Sequence, residues 1–127
     1  MPTADRANAK SADARRVLSQ AAIRAADLLE LNQGTLARIL GVSAASVSRM
    51  REHEFALEPD SKPWEHAVLF VRLFRALQAL VGERDELARS WLRNPNRDLG
   101  EVPADMIRHT EGLVRAVHYV DAARGRI

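Results

Sequence analysis

The sequence predicts an all-α chain, with an N-terminal helix-turn-helix bundle followed by a small helical domain. Three observations carry that expectation. No stretch alternates apolar and polar residues with the period of two that a half-buried strand needs. Ala, Leu and Arg, all strong helix formers, fill long runs without Gly or Pro, the first being SADARRVLSQAAIRAADLLEL from Ser11. Gly41, Gly82, Pro63 and Pro103 stand at the ends of such runs, where helices stop and start.

Bulk composition narrows the function classes. A chain of 127 residues with 46% hydrophobic content can build a real core. It has no cysteine, which excludes a disulfide framework, a thiolate zinc site and a cysteine nucleophile, and fits a reducing compartment. Its apolar runs are far shorter than the roughly 20 residues of a membrane span, and MPTAD lacks a basic-then-apolar leader pattern. A cytoplasmic protein without membrane partners is expected. Net charge is +2, unevenly placed: residues 1–53 hold 8 Lys and Arg against 5 Asp and Glu, and residues 54–127 hold 11 against 12. The front half therefore permits nucleic-acid binding, but needs a dimer to gather enough phosphate contacts.

Taken in order, residues 1–10 are small, polar and aperiodic, and read as a flexible tail. Residues 11–55 read as the helix-turn-helix domain: the run from Ser11 is its first helix, and Asn32 caps a second beginning near Gln33. Residues 56–62, within FALEPDSKP, read as a linker because prolines and charges crowd there. Residues 63–127 form the second domain. Pro63 suits the first turn of WEHAVLFVRLFRALQALV, whose apolar surface is wider than one core-facing stripe, so this helix is central to a bundle or shared with a second copy. Gly82 ends it. ERDELARSWL leads to the Asn94-Pro95-Asn96 turn, Pro103 opens a short helix through Met106 and Ile107, and the last helix runs from about Thr110 to Gly125 with Leu113, Val117 and Val120 on one stripe.

The stretch LARILGVSAASVSRM, residues 36–50, carries the strongest functional signal. A helix-turn-helix needs apolar residues where its helices touch, a small residue where they cross, and a turn residue that accepts positive φ. Leu36 and Leu40, then Ala37, then Gly41 meet these needs, and Val42, Val47 and Met50 complete the inward set. Ser43 suits the N-cap of the second helix. At about 100° per residue, the face opposite Val47 and Met50 carries Ala45, Ser48, Arg49 and Glu52, with Ala44 near its start. Such small residues let a helix sink into a major groove, Ser43 and Ser48 can bond base or phosphate, and Arg49 can bond guanine O6 and N7 together. Gln33, at a helix N-terminus, suits a phosphate. Arg38 and Arg51 either reach phosphates or stay solvated. Read blandly, the same stretch is an αα-hairpin with a glycine turn.

The combination of LARILGVSAASVSRM, SKPWEHAVLFVRLFRAL, SWLRNPNRDLG and PADMIRHTEGLVRAVHYVDAARGRI resembles the Xre-type antitoxins that end in an Xre/MbcA/ParS toxin-binding domain. The likeness spans nearly the whole chain from Ser11. Its specific part is Trp91-Leu92, Asn94-Pro95-Asn96, Pro103 and the Gly112 helix. The resemblance implies a type II antitoxin that binds and covers a RES-domain toxin, an enzyme that depletes NAD. It further implies a homodimer that represses its own operon by binding operator DNA. By matching position, it places the toxin-facing segment at His118, Tyr119, Asp121, Arg124, Arg126 and Ile127. One departure is Glu101 beside Gly100, where the pattern implies a second small residue. The residues themselves supply a partial rationale for the end of the chain: Arg126, Ile127 and a carboxylate can probe a concave pocket built for a phosphate-bearing ligand. An ordinary frayed terminus is the bland alternative.

Other chemistry finds no support. His53, His66, His109 and His118 lack ligand spacing, since His109 and His118 are nine apart and point oppositely on a helix, so no metal site and no cofactor are expected. Glu83, Asp85 and Glu86 suit a helix N-terminus, where they favour the macrodipole. No nucleophile–base pattern is present, and a non-enzyme is expected. Trp64 and Trp91 read first as core anchors and second as interface residues. The alternative to the antitoxin is a plain helix-turn-helix repressor whose C-terminal half dimerises or senses a ligand.

Overall fold

The computed structural model describes the backbone of residues 2–125 and the side chains of residues 12–125. Among these residues it contains seven helices and no strand: α1 (Pro2–Leu28), α2 (Gln33–Leu40), α3 (Ala44–Arg51), α4 (Lys62–Val81), α5 (Asp85–Arg93), α6 (Pro103–Met106) and α7 (Thr110–Gly125). The boundaries follow from local chemistry. Asn32, Ser43 and Ser61 each take an extended conformation and accept the N–H of the residue three ahead, at 2.8, 3.0 and 3.2 Å. Such caps satisfy N–H groups that a helix start leaves orphaned, and each contributes about 1 kcal/mol. Gly41, at φ 77°, takes the left-handed conformation that the turn demands, and donates its N–H to Ala37 O.

Helix α4 is the spine. Its Ala67, Phe70, Leu73, Ala76 and Leu77 are fully buried, and it packs most extensively on α7 while also touching α1, α2 and α5. The wide apolar surface read from the sequence thus serves a central position. Each large side chain so buried contributes about 1.5–3 kcal/mol of transfer free energy.

Two expectations about organisation change. Helix α1 begins at Pro2, so residues 2–10 continue it where a tail was expected. Their Ala content favours helix, and Pro2 occupies the first turn, where its missing N–H costs nothing. The stretch 56–62, expected to be a linker, is pinned at Leu57, which is 1% exposed and donates its N–H to Ser19 Oγ at 3.2 Å. One apolar cluster runs from Ala22 in α1 to Val120 in α7, so the core does not divide where composition changes. No helix among the described residues is long and apolar enough to cross a membrane.

Candidate functional site

The expected helix-turn-helix is α2 and α3. Leu36, Ala37, Leu40, Val47 and Met50 are all buried, and Val42 is half-buried. The opposite face of α3 presents Ala44, Ala45, Ser48, Arg49 and Glu52 to solvent. It is therefore a bare, open helix face whose one long cation is Arg49. Ser43 is also exposed, but its Oγ already accepts the Ser46 N–H and donates to Ser46 Oγ at 3.0 Å, so the hydroxyl holds the helix start. Gln33 donates its side-chain N–H to Ala44 O at 3.1 Å, tying the start of α2 to that of α3. One N–H of that amide remains for an anion.

Behind this face, α3 is fastened to α1. Gln20 Nε2 donates to Met50 O at 2.8 Å, and Arg51 donates through both terminal nitrogens to Asp27, at 3.0 and 2.6 Å. Arg51 is thus a clamp, not one of the phosphate-reaching cations the sequence allowed. The fork of a guanidinium matches a carboxylate in two parallel bonds, and that geometry took precedence over solvation. Arg38 is exposed and forms no ion pair among the described residues.

The Arg51 hydrogen bonds hold the Asp27 carboxyl below the usual range, more than partial burial raises it, and Arg51's charge adds to the lowering. A depressed folded pKa contributes stability above the unfolded value, roughly 4, that is lost as pH falls through the folded value. Asp27→Asn therefore lowers stability at neutral pH by about 0.5–1 kcal/mol, a small figure because the side chain is 52% exposed. The difference between variant and wild type shrinks below about pH 4. Thermal melts at neutral and acid pH test this; a difference that does not narrow on acidification contradicts it.

In the second half, α7 buries Leu113, Val117 and Val120 against α4, as its stripe implied. Of the residues assigned to partner binding, His118 and Arg124 are exposed. Tyr119 and Asp121 are half-buried and occupied within the chain. The Tyr119 ring stacks on Trp91 at 6.4 Å between centroids, and its hydroxyl donates to Asp98 Oδ2 at 2.8 Å. Asp121 accepts from Arg72 of α4, with Arg124 beyond at 3.9 Å. Arg126 and Ile127 lie outside the described residues. Trp64 and Trp91 are both half-buried at the edge of the core.

The Asn94–Gly100 turn is held by its own asparagines. Asn94 Nδ2 donates to Ser90 O at 2.7 Å, Asn96 Oδ1 accepts from Leu99 N at 3.0 Å, and Asn96 N donates to Glu101 O at 3.0 Å. Glu101 is accommodated because its exposed side chain reaches Arg115, 3.7 Å away.

His66 has a role that spacing did not reveal. Its Nδ1 lies 3.0 Å from Ile39 O, which can only accept, so Nδ1 carries the proton. Nε2, 2.9 Å from Thr110 Oγ1, then accepts from that hydroxyl when the ring is neutral. One imidazole on α4 joins the end of α2 to the start of α7. No sequence signal could have paired residues 27 and 44 positions apart. Among the described residues no group of three or more His, Asp or Glu side chains is arranged to hold a metal ion.

With this geometry in hand, comparison with known families covers both halves. Residues 9–72 match the model of the antitoxin Xre-like helix-turn-helix domain. Residues 76–126 match the antitoxin Xre/MbcA/ParS C-terminal toxin-binding domain. No curated protein matches the chain.

Proposed function

The chain belongs to the Xre-like antitoxins, and from that premise we propose that it blocks a RES-domain, NAD-degrading toxin and represses its own operon. An antitoxin of the type II kind acts as a binding protein, and two surfaces would do the binding. Operator DNA would be read by Gln33, Ser43, Ala44, Ala45, Ser48, Arg49 and Glu52, with Glu52 disfavouring bases or phosphates that approach it. The toxin would be met by the second half, residues 63–127, through His118, Tyr119, Asp121, Arg124, Arg126 and Ile127. Tyr119 and Asp121 would act there chiefly by holding α7 in place, given their bonds to Asp98 and Arg72. With these partners the protein would act in the cytoplasm.

The observation that carries this reading is the junction of an open, small-residue α3 face with a toxin-binding fold, in one packed unit. A second copy would supply the missing DNA affinity. The groove between α1 and α4 favours this: Val17 is 68% and Val68 44% exposed, above Ala21 and Val71. To read a palindromic operator, a two-fold pair would have to set its two α3 helices on half-sites about 34 Å apart.

Co-expression with the product of the adjacent gene is the deciding experiment. A stable complex that suppresses NAD loss is the expected result, and removing residues 126–127 is expected to weaken that protection. Protection without the two residues rejects the tail mechanism alone. An adjacent product that neither binds nor consumes NAD rejects the toxin assignment, leaving the plain repressor. Val17→Glu together with Val68→Glu is expected to yield monomers in sedimentation.

A further inference from the structure

We infer that Phe55 is a positioning residue for base reading, its ring holding the Arg49 guanidinium ready for a guanine edge; this rests on the DNA-reading function proposed above. The Arg49 guanidinium carbon lies 5.9 Å from the centre of the Phe55 ring, and one terminal nitrogen donates to Ser46 Oγ at 3.3 Å. The turn after α3 creates this contact. His53 takes the left-handed conformation at φ 62°, its N–H donates to Met50 O at 3.2 Å, and the Glu54 N–H donates to Arg49 O at 2.8 Å. That closing pattern folds the chain back over the helix end. Phe55 arrives beside Arg49, half-buried against the core and so fixed in place.

The choice of neighbour matters. Glu52, three residues on and exposed, could pair with Arg49, yet Arg49 forms no ion pair among the described residues. A carboxylate would cover the N–H fork and cancel its charge. An aromatic face does neither, because it attracts the cation through the ring quadrupole and brings no carboxylate to occupy the N–H fork. Ser46 takes one donor of five, and a bidentate contact to guanine O6 and N7 needs two of the others. The rotamer freedom that a long arginine would lose on binding is thereby partly given up in advance.

The test selects a preferred duplex from a random DNA library with the wild-type protein, then measures affinity for it and for each single-base-pair variant. Phe55→Leu is expected to lose roughly two- to fivefold discrimination at the one base pair that Arg49→Ala also relaxes. Affinity for random duplex and the salt slope should stay as in wild type. Phe55→Trp and Phe55→Tyr, which keep a ring, should retain the discrimination, and Phe55→Leu should change nothing further in the Arg49→Ala background. Unchanged discrimination in Phe55→Leu overturns the inference, as does equal weakening on every duplex or an effect that persists without Arg49. If the wild type enriches no duplex at all, the DNA-reading function falls and the inference with it.

Discussion

Gly112→Ala destabilises the protein by at least about 3 kcal/mol and lowers its melting temperature by roughly 10 °C. A Cβ at this position would stand 2.0 Å from the carbonyl oxygen of Met106 and 2.7 Å from its carbon. Both are backbone atoms at the end of α6, so neither can rotate aside as a side chain would. The sign of the effect is informative. Gly112 sits inside α7, where alanine is favoured over glycine by about 1 kcal/mol on helix propensity alone. Without the close approach the substitution would stabilise; with it, α6 and α7 must separate. Since Met106, Ile107, Leu113 and Val117 are buried, separation opens the core on the toxin-facing half. Thermal melts followed by circular dichroism, with co-purification of the toxin, provide the measurement. A variant that melts at or above the wild-type temperature refutes the crossing as described.

Ala45→Glu abolishes operator binding, by about a hundredfold or more, while leaving the fold and toxin neutralisation intact. Ala45 lies near the centre of the exposed α3 face, between the directions of Ser48 and Arg49. A carboxylate there meets the negative potential of the groove and adds bulk where only a methyl group stood. It is also the second residue of α3, and an acidic side chain in a helix's first turn is favourable to its macrodipole by about 0.3–1 kcal/mol. The two effects therefore have opposite signs and can be separated. Fluorescence anisotropy on the selected duplex should show the loss while the melting temperature holds or rises. Retained operator affinity would mean that this face does not enter DNA, and that another part of the surface carries the binding.

Much of this molecule is legible in its residues because its signals are local. Asn32 and Ser43 announce helix starts through side chains that bond three residues ahead, Pro63 marks the first turn of α4, and Gly41 and Gly82 announce ends through a conformation that other residues resist. The inward set of Leu36, Leu40, Val47 and Met50 follows from helical period alone. The candidate reading face is legible for the same reason, as the complement of that set. Helix α1 starts ahead of Ser11 because the alanines of residues 2–10 favour helix more than their polar neighbours oppose it. The burial of Leu57 is not legible in the sequence, because a single apolar side chain among prolines and charges has no period.

The sequence by itself determined the all-α class, the helix ends marked by Asn32, Gly41, Ser43 and Gly82, and the face of α3 that stays bare, since each depends on residues within a turn or two of one another. Tertiary structure alone decided which polar groups are spent inside the molecule. Arg51 goes to Asp27, Gln33 to Ala44, His66 to Ile39 and Thr110, and Arg49 comes to rest over Phe55. The physical reason is reach: a cap or a stripe is set by the backbone path of one helix, whereas a guanidinium or imidazole finds its partner only after separate helices have packed and removed competing water.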